Sequence, residues 1–104
     1  MELRQLRYLC AIAREGSFTR AAETLFVSQS ALSQQIQSLE QEVGAPLLDR
    51  ARRGVRLTAA GDILHHHAQR VLRELAQARV ALDNWKAYNA VICGSVWCRR
   101  SMPI

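Results

Sequence analysis

Apolar residues recur along this chain at helical spacing in four stretches and at a period of two in one. Residues 2–14 carry Leu3, Leu6, Leu9, Cys10, Ile12 and Ala13 on one helical side, with Arg4, Arg7 and Arg14 mostly off it. Glu15-Gly16 closes that pattern, and Ser17 stands where the N-cap of the next helix belongs. Phe18, Ala21, Ala22 and Leu25 make the second stripe; Leu32, Ile36, Leu39 and Val43 make the third. Only Phe26-Val27-Ser28 separates them, room for a sharp turn and nothing else. The Ser28 hydroxyl is placed to accept from a free N–H in the following first turn. The small alanines at 21 and 22 let the two helices cross closely. This pattern predicts a helix-turn-helix.

Gly44 and Pro46 end the third stripe. Leu47 and Leu48 follow, and Val55 and Leu57 flank Arg56 at a period of two, with Ala51-Arg52-Arg53-Gly54 between them. A two-stranded hairpin at about 48–50 and 55–57 is predicted. Thr58 then caps a long helix reaching about Tyr88, with Asp62 in its first turn, where the helix dipole favours an acid. Leu64, Ala68, Val71, Leu75, Ala78, Leu82 and Trp85 alternate steps of four and three along it. That is a heptad seam, which suits pairing with a second copy. Leu72 and Ile63 lie outside the seam and are candidates to dock on the helix-turn-helix. The fold class expected is mainly α: a winged helix-turn-helix with a long C-terminal linker helix. Residues 1–58 form the winged domain, 59–88 the linker and dimerisation helix, and 89–104 an irregular tail. In that tail Val91, Ile92, Val96 and Trp97 could begin a strand around Gly94 that has nothing to pair with.

The polar positions carry the functional signal. Gln29, Ser30, Ser33, Gln34 and Gln37 fall away from the Leu32/Ile36/Leu39 stripe and hold no charge. An ordinary solvated face carries Lys/Glu pairs one turn apart. Amide and hydroxyl groups instead donate and accept together, which suits base edges in a major groove. The predicted hairpin places Arg50, Arg52, Arg53 and Arg56 within seven residues, opposed only by Asp49. Such a tip belongs on a phosphate backbone or in a minor groove.

Composition sharpens this picture. The chain has 104 residues and a formal charge of +5, and 13 of its 14 basic residues are arginine. Arginine suits forked contact with phosphate or guanine, so double-stranded DNA is the expected partner. The length allows one modest core. Cys10, Cys93 and Cys98 are too scattered for a disulfide framework, which fits a reducing cytoplasm. MELRQLRYLC carries charges, unlike a signal peptide, and no apolar run approaches membrane-spanning length. His65-His66-His67 diverge by roughly 100° each around a helix, so no shared metal is expected. No phosphate loop, paired acids or Ser/His/Asp set suggests an enzyme, and no cofactor is expected.

The run AAETLFVSQSALSQQIQSLEQEVGAPLLDRARRGVRLTAAG resembles the N-terminal DNA-binding domain of LysR-type transcriptional regulators, over about residues 1–88. The resemblance implies a bacterial regulator that binds interrupted inverted repeats as a homodimer paired through the linker helix. By position it implies DNA contacts at Gln29, Ser30, Ser33 and Gln34, with Arg50 and Arg53 from the wing and Phe18 and Thr19 near the backbone. Ser28, Gln37 and Arg52, beside these in sequence, complete the expected DNA-binding set. Many members have Arg where this chain has Gln34 and Pro where it has Ser30, which implies a different target sequence. Members continue into an effector-binding region of two α/β lobes that this sequence lacks, so no small-molecule inducer is expected. The alternative function is a truncated dimerisation module that pairs with full-length relatives and modulates them.

Overall fold

The computed structural model describes residues 1–51 and 54–93. Their order is α1 (Leu3–Glu15), α2 (Phe18–Leu25), α3 (Gln29–Val43), β1 (Leu48–Ala51), β2 (Gly54–Leu57) and α4 (Ala59–Cys93). The fold is mainly α, a winged helix-turn-helix followed by a long helix. Two compact units divide the chain, residues 1–72 and 73–104. The first therefore extends past the boundary expected at residue 58 and takes in the start of α4.

Local chemistry sets the helix ends. Ser17 Oγ accepts from the Arg20 N–H at 3.3 Å, and Ser28 Oγ from the Ala31 N–H at 3.0 Å. Gly16 and Gly44 close α1 and α3 in left-handed conformation. Phe26 closes α2 in the same conformation, with φ 59°, although a side chain makes that costly. It leaves the turn 94% exposed.

Leu9, Ile12, Ala21, Ala22, Leu32, Ile36 and Leu39 bury together where α1, α2 and α3 meet, as their spacing predicts. Leu3 and Val43, at the ends of their stripes, are largely exposed. Cys10, on the same apolar side of α1, is only half-buried. Burial pushes its thiol up, with Arg14 opposing, so little of the reactive thiolate forms. Gln5 is buried in α1, and its amide is used at both ends. Its Oε1 accepts from the Glu2 N–H at 3.1 Å, and its Nε2 donates to Gln35 Oε1 on α3 at 3.4 Å.

The wing is fastened at three points that the hydrophobic pattern does not display. Glu40 Oε2 on α3 accepts from the N–H groups of Leu47 and Leu48, at 2.7 and 3.2 Å. Gly16 O accepts from the Val55 N–H at 3.1 Å, tying β2 to the turn after α1. Leu47 O accepts from the Thr58 N–H at 3.0 Å at the foot of the hairpin. Gly54 suits its place: its φ is 127°, and a Cβ there would stand 2.7 Å from Gly16 O. Removing the Glu40 carboxylate would leave two donors, on buried Leu47 and half-buried Leu48, without their partner. Glu40→Ala is therefore expected to cost about 2–3 kcal/mol, read as a lower urea midpoint at unchanged slope. Glu40→Gln, which keeps an acceptor oxygen, should recover much of the loss.

The base of α4 is part of the same unit. Thr58 Oγ1 accepts from the Gly61 N–H at 3.0 Å and donates to Pro46 O at 2.6 Å. Ala60 and Leu64 pack on the core, and Ala68 is 1% exposed. Of the expected seam, Ala68 is therefore covered within the chain and Leu64 is half-buried against the core. Ile63, a candidate for docking, is 65% exposed instead, and Leu72 is half-buried. In the second unit Leu75 and Leu82 are exposed, as is Ala78 one turn from each. The helix also runs on to Cys93 instead of ending near Tyr88, so Val91 and Ile92 are helical and start no strand. The expectations for Gly94, Val96, Trp97 and Cys98 lie outside the described residues.

Candidate nucleic-acid interface

The stripe that buries Leu32, Ile36 and Leu39 turns the opposite side of α3 to solvent. Gln29, Ser30, Gln34 and Gln37 are all exposed there, and Ser28 is exposed just before them. Ser28 Oγ is already the cap acceptor, which leaves its O–H to donate outward. Ser33 lies at the edge of this surface and is half-buried. Thr19, in the first turn of α2, is exposed, and Phe18 is half-buried against the core.

Strand parity decides where the wing arginines go. In the antiparallel pair, Leu48 faces Leu57, Asp49 faces Arg56, Arg50 faces Val55 and Ala51 faces Gly54. Alternate residues share a face, so Arg50 lies with Leu48, Val55 and Leu57. Those three pack on the core. Arg50 accordingly turns toward the helices. Its Nη2 donates to Ser33 Oγ on α3 at 3.0 Å, and its guanidinium lies 4.3 Å from the centroid of the Phe18 ring on α2. A stacked guanidinium at an exposed site gains about 0.5–1 kcal/mol from the ring. Arg56 takes the other face with Asp49, so Arg50 and Arg56 lie on opposite sides of the hairpin. Arg52 and Arg53 lie outside the described residues.

Three separate elements thus meet at one point: β1 supplies the cation, α2 the ring and α3 the hydroxyl. All three residues were candidates from the sequence, but as independent contacts. Their mutual engagement was not expected. The evenness of residues 48 and 50 was available as a signal, since it puts Arg50 on the apolar face of the strand.

Other chemistry is sparse. The His66 and His67 rings meet edge to face with centroids 5.5 Å apart. Among the described residues no cluster of three or more His, Cys, Asp or Glu could hold a metal ion. Among them, too, no helix is long and apolar enough to cross a membrane.

Comparison with known proteins places this surface in context. Residues 3–62 match the family model of the bacterial regulatory helix-turn-helix proteins of the lysR family. The HTH-type transcriptional regulator BudR of Klebsiella aerogenes is 57% identical over 72 residues, covering 69% of this chain and 50% of that protein. The nitrogen assimilation regulatory protein nac of the same organism is 49% identical over 84 residues, covering 81% of this chain and 28% of that protein. The chain therefore spans between about a quarter and half of the length of these relatives. Among solved structures, the BenM DNA-binding domain in complex with catB site 1 DNA superposes with a TM-score of 0.77 at 42% identity, covering 81% of this chain and 93% of that one. The CbnR DNA-binding domain in complex with DNA gives 0.72 at 42% identity, covering 84% and 99%. BudR is described as a transcriptional regulator and nac as a regulatory protein. With the model matched across all three helices, both strands and the start of α4, the chain belongs to the lysR family of bacterial helix-turn-helix regulators.

Proposed function

We propose that this chain binds double-stranded DNA in a sequence-specific manner, in the bacterial cytoplasm, as the DNA-binding part of a transcriptional regulator. The observation that carries this reading is the uncharged polar face of α3, where Gln29, Ser30, Gln34 and Gln37 stand exposed together. α3 enters the major groove with this face on the base edges. Glutamine can pair bidentately with adenine, and serine adapts to several bases. Arg50, Arg52 and Arg53 hold the flanking backbone, and the +5 charge draws the chain to it.

Binding is dimeric, on an interrupted inverted repeat. Leu75, Ala78 and Leu82 form one exposed helical face that continues the heptad spacing into the second unit. Two such helices pairing would set the separation of two recognition helices and hence of two half-sites.

Gln29→Ala tests the reading directly. Binding to duplexes that vary one base pair at a time should lose about 1–2 kcal/mol of discrimination at a single pair in each half-site. Preferences elsewhere should stay as they were. A loss of affinity spread evenly over all sequences would count against base readout by this helix.

A further inference from the structure

Ser33 lies half-buried at the margin of the polar face of α3, and its hydroxyl oxygen accepts from Arg50 at 3.0 Å. The same guanidinium is stacked 4.3 Å from the Phe18 ring. Arginine ordinarily loses much rotamer freedom when it grips a partner. Here one N–H edge and one flat face are fixed before any partner arrives. The remaining N–H donors stay accessible, since the residue is exposed. The guanidinium also lies beside the Gln29/Gln34 face, reached through the half-buried Ser33 at its margin. A position flanking a base-reading helix meets the groove wall, and that wall is phosphate.

We propose that Ser33 and Phe18 are positioning residues that hold Arg50 as a preset clamp for one DNA backbone phosphate, and that Ser33 reads no base. This rests on the DNA-binding function proposed above and deepens it. The forked guanidinium suits a phosphate's oxygens. A preset donor also forms its contact with less ordering at the moment of binding.

The test is a double-mutant cycle on the full chain with Ser33→Ala, Arg50→Ala and both together. Binding is followed by fluorescence anisotropy across a salt series, on a random-sequence duplex pool and on a duplex enriched from it. Arg50→Ala should weaken binding to both probes by about tenfold and lower the salt slope by about one. Ser33→Ala should weaken both probes alike by about threefold, and the double variant should bind no worse than Arg50→Ala alone. Ser33→Thr, which keeps the hydroxyl, should rescue. In the free protein, the Arg50 side-chain Nε–H order parameter should fall in Ser33→Ala and in Phe18→Leu, a readout that needs no DNA. Additive losses, a changed preference at a single base pair in Ser33→Ala, or an unchanged Arg50 order parameter would each overturn the clamp while leaving DNA binding intact. A wild-type chain that bound neither probe would overturn the underlying function as well.

Discussion

Gly61→Ala is expected to unfold the winged unit or to cost about 4 kcal/mol or more. Helix propensity alone argues the reverse, since alanine is better than glycine in a helix by roughly 1 kcal/mol. The packing decides the sign. A Cβ at Gly61 would stand 2.0 Å from Leu47 O and 2.9 Å from its carbonyl carbon. No flexible side-chain end can yield there, because the obstacle is backbone. That backbone is held from both sides: Leu47 O accepts from the Thr58 N–H, and the Leu47 N–H is bound by Glu40. Relieving the clash would lift α4 from the wing and expose Leu47, which is fully buried. In a thermal melt followed by circular dichroism, Tm should fall by roughly 20 °C. Gln69→Gly, on the exposed side of α4, should cost only about 1 kcal/mol. A Gly61→Ala protein more stable than wild type would contradict the close crossing of α4 over Leu47.

Leu75→Asp combined with Leu82→Asp is expected to abolish dimer formation and lower DNA affinity by about 100-fold or more. Each aspartate would place a charge in the apolar face that two copies of α4 would bury, with no partner to satisfy it. A tethered second half-site contact adds its effect through high effective concentration, and a monomer forfeits it. The helix itself should persist, since both positions are exposed in the single chain. Sedimentation should give a monomer with unchanged melting of the first unit. A dimer of normal strength would place the pairing surface elsewhere.

Much of this arrangement was legible because it is local. Capping serines at 17 and 28, a glycine at 44 and a three-four stripe at 32, 36 and 39 each act within one or two turns. The hairpin was legible from the period change around Arg56, and its observed strands extend the expected ones by a residue at the tip. What escaped was non-local. Nothing near Glu40 in sequence sets it apart, and only the return of residues 47 and 48 gives its carboxylate a partner. The tight place of Gly61 against Leu47 O is likewise set by residues far from it in sequence.

The heptad seam shows a different limit. Steps of four and three fit a helix packing on its own domain as well as one pairing with a copy, over a short span. Leu64 and Ala68 pack within the chain, whereas Leu75 and Leu82 remain exposed. One continuous pattern therefore contains both core-packed and exposed positions. At the interface, residue types and the family resemblance suggested separate contacts for Phe18, Ser33 and Arg50. Folding brings them together, because β1 turns its even-numbered side chains toward the helices.

The most direct measurement is selection of bound sites from random duplexes at two salt concentrations. If the polar face of α3 reads bases, one inverted repeat should be enriched at both, since backbone contacts weaken with salt while base discrimination persists. Retention of duplexes at low salt with no sequence enriched at either concentration would contradict it.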